Sequence, residues 1–184
     1  MATSLILPPD LDDLATPPDG AAPFGGALRL FGARDGDLPS LARWNDEQAW
    51  RKDYGDLTDG LTFFAEDAFG NQFAWDAINV VRFAAETGAR QVVSSSATVW
   101  AVLAARDQDK WLVRWLYEEW VASNGQPPLQ THLAPRVPFT LGTKPEPSEL
   151  FVVDRWSDMS SKGSVAVQLK DVSPGSKVRL ITPD

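Results

Sequence analysis

An α+β domain containing an antiparallel meander is the fold class the chain predicts, on three observations. Short apolar stretches with two-residue alternation recur between residues 28 and 94, separated by turn residues. Residues 95–125 instead carry their apolar side chains at helical intervals. A length of 184 residues, 43% of them hydrophobic and eight of them tryptophan, suits one packed core and is short for two. Strands and helices in mixed order, with local hairpins, define the α+β class.

The elements follow in chain order. Residues 1–23 combine Pro8, Pro9, Pro17, Pro18 and Pro23 with acids and small residues, so they predict an extended lead-in, and residues 24–184 a single domain. Leu28, Leu30 and Phe31 form a short apolar run ending at Gly32. Leu38 to Trp50 predicts a short helix with Leu41, Trp44 and Trp50 on its inner side. Asp53 to Gly60 is turn-rich. The stretch from Leu61 to Trp75 is the clearest hairpin: Leu61, Phe63 and Ala65 precede a turn at Gly70-Asn71, and Phe73 and Trp75 follow it. That spacing predicts strands with one buried face, and Gly70 supplies the positive φ of a tight reversal. Strands over Asn79–Ala84 and Arg90–Ser94, separated by Glu86-Thr-Gly88, extend the meander.

Ser95 or Ser96 caps a helix bearing Val99, Trp100, Val102 and Leu103, and Asp109 caps another bearing Trp111, Leu112, Trp115, Leu116 and Trp120. Gly125 and Pro127-Pro128 end it. A long loop then runs through Pro138, followed by a strand at Leu150–Val153, a helix from Ser157 to Asp171 and a last strand from Lys177 to Ile181.

Composition removes several functions. With no cysteine in the chain, disulfides, thiolate metal sites and cysteine nucleophiles are excluded. Leu5-Ile-Leu7 stops at Pro8-Pro9 without the apolar run of a secretory signal, and no stretch reaches the ~20 apolar residues of a membrane span, so a cytoplasmic protein is expected. The net charge of −8 lies entirely in residues 1–70, which hold 13 acids and 5 bases; the remainder holds 12 of each. Such asymmetry opposes nucleic acid and anionic membranes as partners and favours a basic protein, against the plainer reading of solubilising charge.

Candidates for catalysis are weak. Glu66 and Asp67 are adjacent on a strand and point to opposite faces, so they do not form a facing carboxylate pair; accepting backbone N–H bonds at the hairpin is the expected role. His132, the single histidine, has no Gly-x-Ser-x-Gly elbow and no further imidazole or thiolate ligands, which predicts a packed or hydrogen-bonded loop residue. The glycines form no phosphate loop. No cofactor and no metal are expected, and hydrolysis through Glu66, Asp67 and His132 is the least favoured reading. Trp100, Trp111, Trp115 and Trp120 read as core, whereas Trp44, Trp50 and Trp156 lie nearer polar stretches. Asp35, Asp37, Asp46, Glu47, Asp53, Asp56 and Asp59, mixed with Trp44, Trp50 and Tyr54, make a candidate partner-binding patch, the aromatics giving buried contact and the acids steering. A solvated loop region with no partner accounts for them equally well.

Several stretches together resemble the SUKH superfamily, bacterial relatives of a yeast regulator of cell-wall assembly. They are Gly26-Ala-Leu-Arg-Leu-Phe-Gly32, Phe64-Ala-Glu-Asp-Ala-Phe-Gly-Asn-Gln-Phe73, Glu86-Thr-Gly88, His132-Leu-Ala-Pro, Pro138-Phe-Thr-Leu-Gly142, Ala166-Val-Gln-Leu and Pro174-Gly-Ser-Lys-Val178. Leu141-Gly-Thr-Lys144 departs from the pattern by lacking a second glycine. The resemblance implies a central, largely antiparallel sheet with added strands, flanked by helices. It also implies a non-enzymatic immunity protein that occludes the active site of a cognate toxin of nuclease or deaminase class. The alternative it carries is a regulatory scaffold in cell-wall assembly signalling. Aromatics outside the core could equally close a homodimer.

Overall fold

A computed structural model of the chain describes residues 5–142, 145–173 and 175–177, so the strand expected from Lys177 to Ile181 lies outside them after its first residue. The fold is α+β. Its centre is a five-stranded antiparallel meander in spatial order β1 (Leu28–Leu30), β2 (Thr62–Asp67), β3 (Gln72–Trp75), β4 (Val80–Phe83) and β5 (Arg90–Ser94). The β2–β3 turn is held by Asp67, whose carboxylate accepts N–H bonds from Phe69 and Asn71 and from the Asn71 side-chain amide. Gly70 there has φ of 85°, as the reversal requires.

All residues of β2 and β3 are buried. The expected single buried face is therefore corrected: the sheet is covered on both sides. A β-bulge between Phe63 and Ala65 changes the phase of β2. Phe63 packs with Trp44, Trp50, Tyr54 and Phe83 on the first face, while Phe64, Ala65, Phe73 and Trp75 pack with Trp100 and Trp111 on the second. Each large apolar side chain so buried stabilises the fold by about 1.5–3 kcal/mol.

The first face is covered by residues 41–58 and by α5 (Arg155–Leu169). The helix expected over Leu38–Trp50 is only α1 (Leu41–Trp44), capped by the Ser40 hydroxyl. It stops because the Asn45 side chain takes over backbone groups, donating to Leu41 and Phe63 carbonyls and accepting the Phe63 N–H. Two 3-10 turns, Trp50–Asp53 and Gly55–Thr58, follow. At Gly163, α5 rests directly on this segment: a Cβ there would lie 2.7 Å from Tyr54 Cδ2.

The second face is covered by α2 (Ala97–Arg106) and α3 (Gln108–Leu112), and α4 (Arg114–Asn124) packs beside them on Ala27, Phe69, Leu133 and Leu150. Ser96 caps α2 as expected. The cap of α3 is Asp107, not Asp109; Asp109 instead accepts the Trp115 N–H in the first turn of α4. Val113 separates the two helices with φ of 51°. The proline-rich lead-in is fastened to this side. Asp10 accepts hydrogen bonds from the Ala97 and Thr98 amides and the Ser96 and Thr98 hydroxyls at the N-terminus of α2, where the helix dipole also favours a carboxylate.

The expected long loop contains a strand. β6 (Thr131–Pro135) pairs antiparallel with β7 (Leu150–Asp154) in a separate two-stranded sheet against the hairpin turn, where Leu133 N–H donates to the Ala68 carbonyl. The segment is short, ends in proline and pairs with one strand, so it carries little strand signal. No helix among the described residues is long and apolar enough to cross a membrane.

Candidate functional site

Three places concentrate polar chemistry: a buried ion cluster, a pocket beside it and the acidic surface of residues 35–59. The cluster is centred on Glu66, which the bulge directs to the first face. Its Oε1 lies 2.9 Å from Arg155 Nε and 3.5 Å from Arg29 Nη1, and its Oε2 lies 3.2 Å from His132 Nε2. His132 Nδ1 meets Asp158 Oδ2 at 2.8 Å, and that oxygen also receives Lys162 Nζ at 2.5 Å. Gln72 donates to Glu66 and to the Gly70 carbonyl while accepting the Trp44 indole N–H. Arg29 donates to the Thr131 carbonyl, Arg155 to that of Leu129 and Lys162 to that of Phe69.

This cluster ties the paired strands β1 and β2 to β6 and α5. Glu66 and His132 have no exposed surface, so no substrate can meet them in this conformation. Asp67 stands on the other face, hydrogen-bonded within the turn. The structure thus brings Glu66 and His132 together and leaves Asp67 apart. His132 is hydrogen-bonded, but on a strand rather than in a loop. Among the described residues no three His, Asp or Glu side chains are grouped to hold a metal ion.

Full burial alone would raise the Glu66 pKa, yet Arg155, His132 and Arg29 outweigh desolvation and hold it far below the usual carboxylate range. At Asp158 desolvation is likewise outweighed by Lys162 and His132, and its pKa falls. Asp67 goes the other way, because desolvation exceeds the help of Arg82 and its hydrogen bonds. Groups with lowered pKa stabilise the fold above their unfolded values, near ~4, and lose that contribution as pH falls through the folded pKa. Asp67 has the opposite sign and offsets part of the effect. With Glu66 and Asp158, and outside the cluster Asp10, against Asp67, the urea midpoint should hold from pH 7 to 5 and fall by pH 3. An unchanged midpoint at pH 3 would show that these carboxylates contribute no net stability.

The pocket encloses about 450 Å³ between the hairpin turn, the end of β4, the α3–α4 junction and Phe139, Thr140, Gly142 and Pro145. It is lined by Arg82 of β4, Glu86 of the β4–β5 turn, and Phe69, Trp115 and Phe139.

The acidic candidates divide. Trp44, Trp50 and Tyr54 are each at most 1% exposed, which removes them as surface anchors; Trp156 is half-buried against Trp44. Their polar edges find partners inside: Trp50 donates to the Trp44 carbonyl and Tyr54 to that of Ala85. Asp35, Asp37, Asp46, Glu47, Asp56 and Asp59 are exposed and Asp53 is half-buried. Asp35 pairs with Arg43, Asp56 with Lys170, and Asp37 accepts from Gln130.

Sequence reasoning missed Arg29, Arg155, Asp158 and Lys162. The visible signal was charge at helical spacing on the inward stripe of α5, where Arg155, Asp158 and Lys162 share a face with Met159, Gly163 and Ala166. A scan against protein-family models gives no match for this chain, and a search of curated proteins gives none either.

Proposed function

We propose that this protein is a non-enzymatic binding protein of the immunity type, with a SUKH-like sequence pattern, which neutralises a basic toxin domain of nuclease or deaminase class by covering its active site. The observation that carries the reading is the exposed acidic set on short turns above an interlocked aromatic core. Seven acids and three bases lie between residues 35 and 59, Lys170 pairs with Asp56 from outside that span, and Trp44, Trp50 and Tyr54 of the same span are buried in the first-face core. A fixed, clustered negative surface attracts the cationic groove that a nuclease offers to phosphates, and it loses little conformational entropy on docking. The inaccessibility of Glu66 and His132 agrees with a binding role.

The test is charge reversal at Asp46, Glu47, Asp53 and Asp56. Tagged wild-type and Asp46→Lys/Glu47→Lys/Asp53→Lys/Asp56→Lys proteins are used to capture partners from the host at low and high salt. The expected result is one stoichiometric basic partner, toxic when expressed alone, released by salt, with association slowed about tenfold or more in the variant. Unchanged capture and unchanged protection by the variant would remove this surface as the interface. Several substoichiometric host proteins would favour the regulatory scaffold instead.

A further inference from the structure

We propose that the pocket between the hairpin turn and the α3–α4 junction is a binding site for an uncharged, planar aromatic molecule carrying a carbonyl acceptor, which Arg82 recognises. Its volume of about 450 Å³ falls within the ~300–1,000 Å³ of small-molecule sites. The walls are Phe69, Val113, Trp115, Leu116 and Phe139. Phe69 and Phe139 stand edge to face with centroids 5.7 Å apart, a geometry into which a third flat ring can stack.

The polar groups define the acceptor. Glu86 is fully engaged, accepting from the Phe139 and Thr140 amides and the Thr140 hydroxyl. Asn71 is engaged by Asp67 and by the Ala85 amide. Arg82 is less committed: its Nη2 stands 3.7 Å from Asp67, an ion pair too long for a hydrogen bond, and its side chain keeps 19% of its surface exposed. The group the pocket offers to a ligand is therefore a donor, which calls for an acceptor. Asp67 already pairs with this guanidinium and Glu86 lines the same pocket, so a further negative charge would be repelled and a neutral carbonyl is favoured.

Backbone strain marks the same wall. Val113 lines the pocket with φ of 51°, a conformation that a β-branched residue adopts only when its surroundings enforce it, and such positions gather at ligand sites.

The probe is 2-naphthamide, titrated into isotope-labelled protein while the Trp115 indole and Phe139 amide resonances are followed, with 2-naphthoate as its charged counterpart. Naphthamide should shift both resonances, naphthoate should bind at least tenfold more weakly, and Arg82→Met should weaken naphthamide about tenfold. Because Arg82→Met leaves Asp67 without its counter-ion and could unfold the chain, Ala84→Phe provides a second variant. It fills the pocket with Arg82 and Asp67 intact and should abolish the shifts. Naphthoate binding as tightly as naphthamide, or no shift at millimolar naphthamide, would overturn the proposal, as would shifts that persist in Ala84→Phe.

Discussion

Glu66→Gln should lower the stability of the fold by about 3–5 kcal/mol, the cost of removing one partner from a buried ion cluster. The substitution keeps shape and volume, so no cavity accompanies it, and the loss is electrostatic. Arg155 and Arg29 would be left facing a neutral amide, with Asp158 as the remaining acid between His132 and Lys162. Relative to a total stability of ~5–15 kcal/mol this is a large fraction, and urea denaturation at pH 7 measures it directly. The companion measurement is Arg155→Met in the same background. If the penalty of Glu66→Gln is the uncompensated charge of Arg155, the double variant should regain part of the loss, giving a coupling energy above ~1 kcal/mol. A Glu66→Gln protein within ~0.5 kcal/mol of wild type would mean that the cluster holds nothing together.

This cluster also shows where the sequence stops being legible. Four strands of the meander were readable because their signals are local: the alternation of β3, the turn at Gly70 and the matching strands Val80–Phe83 and Arg90–Ser94 all lie within a few residues of their partners, whereas β1 joins β2 from far back in the chain. The bulge in β2 was not, since nothing in Phe63-Phe-Ala65 tells which residue leaves the alternation; the choice is made by aromatic packing on both faces. β6 was hidden for the same reason, its partner β7 lying beyond a loop that offers no hairpin signal. Arg29, Glu66, His132 and Arg155 each look ordinary where they stand. They become one site only when strands and helix as far apart as Arg29 and Arg155 are folded together.

The acidic patch was half legible. Six of its seven acids are exposed as their composition predicts, but Trp44, Trp50 and Tyr54 were misread because their neighbours in sequence are polar. Those neighbours, Arg43, Asp46 and Glu47 among them, are exposed. The rings themselves find apolar surroundings from Phe31, Phe63 and Phe83, far away in the chain.

Trp44→Ala tests that correction with the second large effect. The ring has centroid contacts at 5.1 Å with Phe31, 5.2 Å with Trp50 and 4.8 Å with Trp156, and the Arg155 guanidinium lies over it at 5.6 Å. Truncation opens a cavity that these rings can only partly close, and it orphans the Gln72 oxygen now bonded to the indole N–H at 2.8 Å. A loss of about 3–5 kcal/mol is expected. Trp44→Phe, which keeps most of the volume and loses the hydrogen bond, should cost less. A surface anchor would behave in the opposite way: its truncation would leave stability within about 0.5 kcal/mol and weaken only partner binding. The acids supply the contrast within one molecule, because reversing Asp46 and Glu47 should change association while leaving the denaturation midpoint nearly unmoved. If Trp44→Ala instead unfolds at the wild-type urea concentration, the ring does not belong to the core, and the aromatic half of the binding patch must be restored.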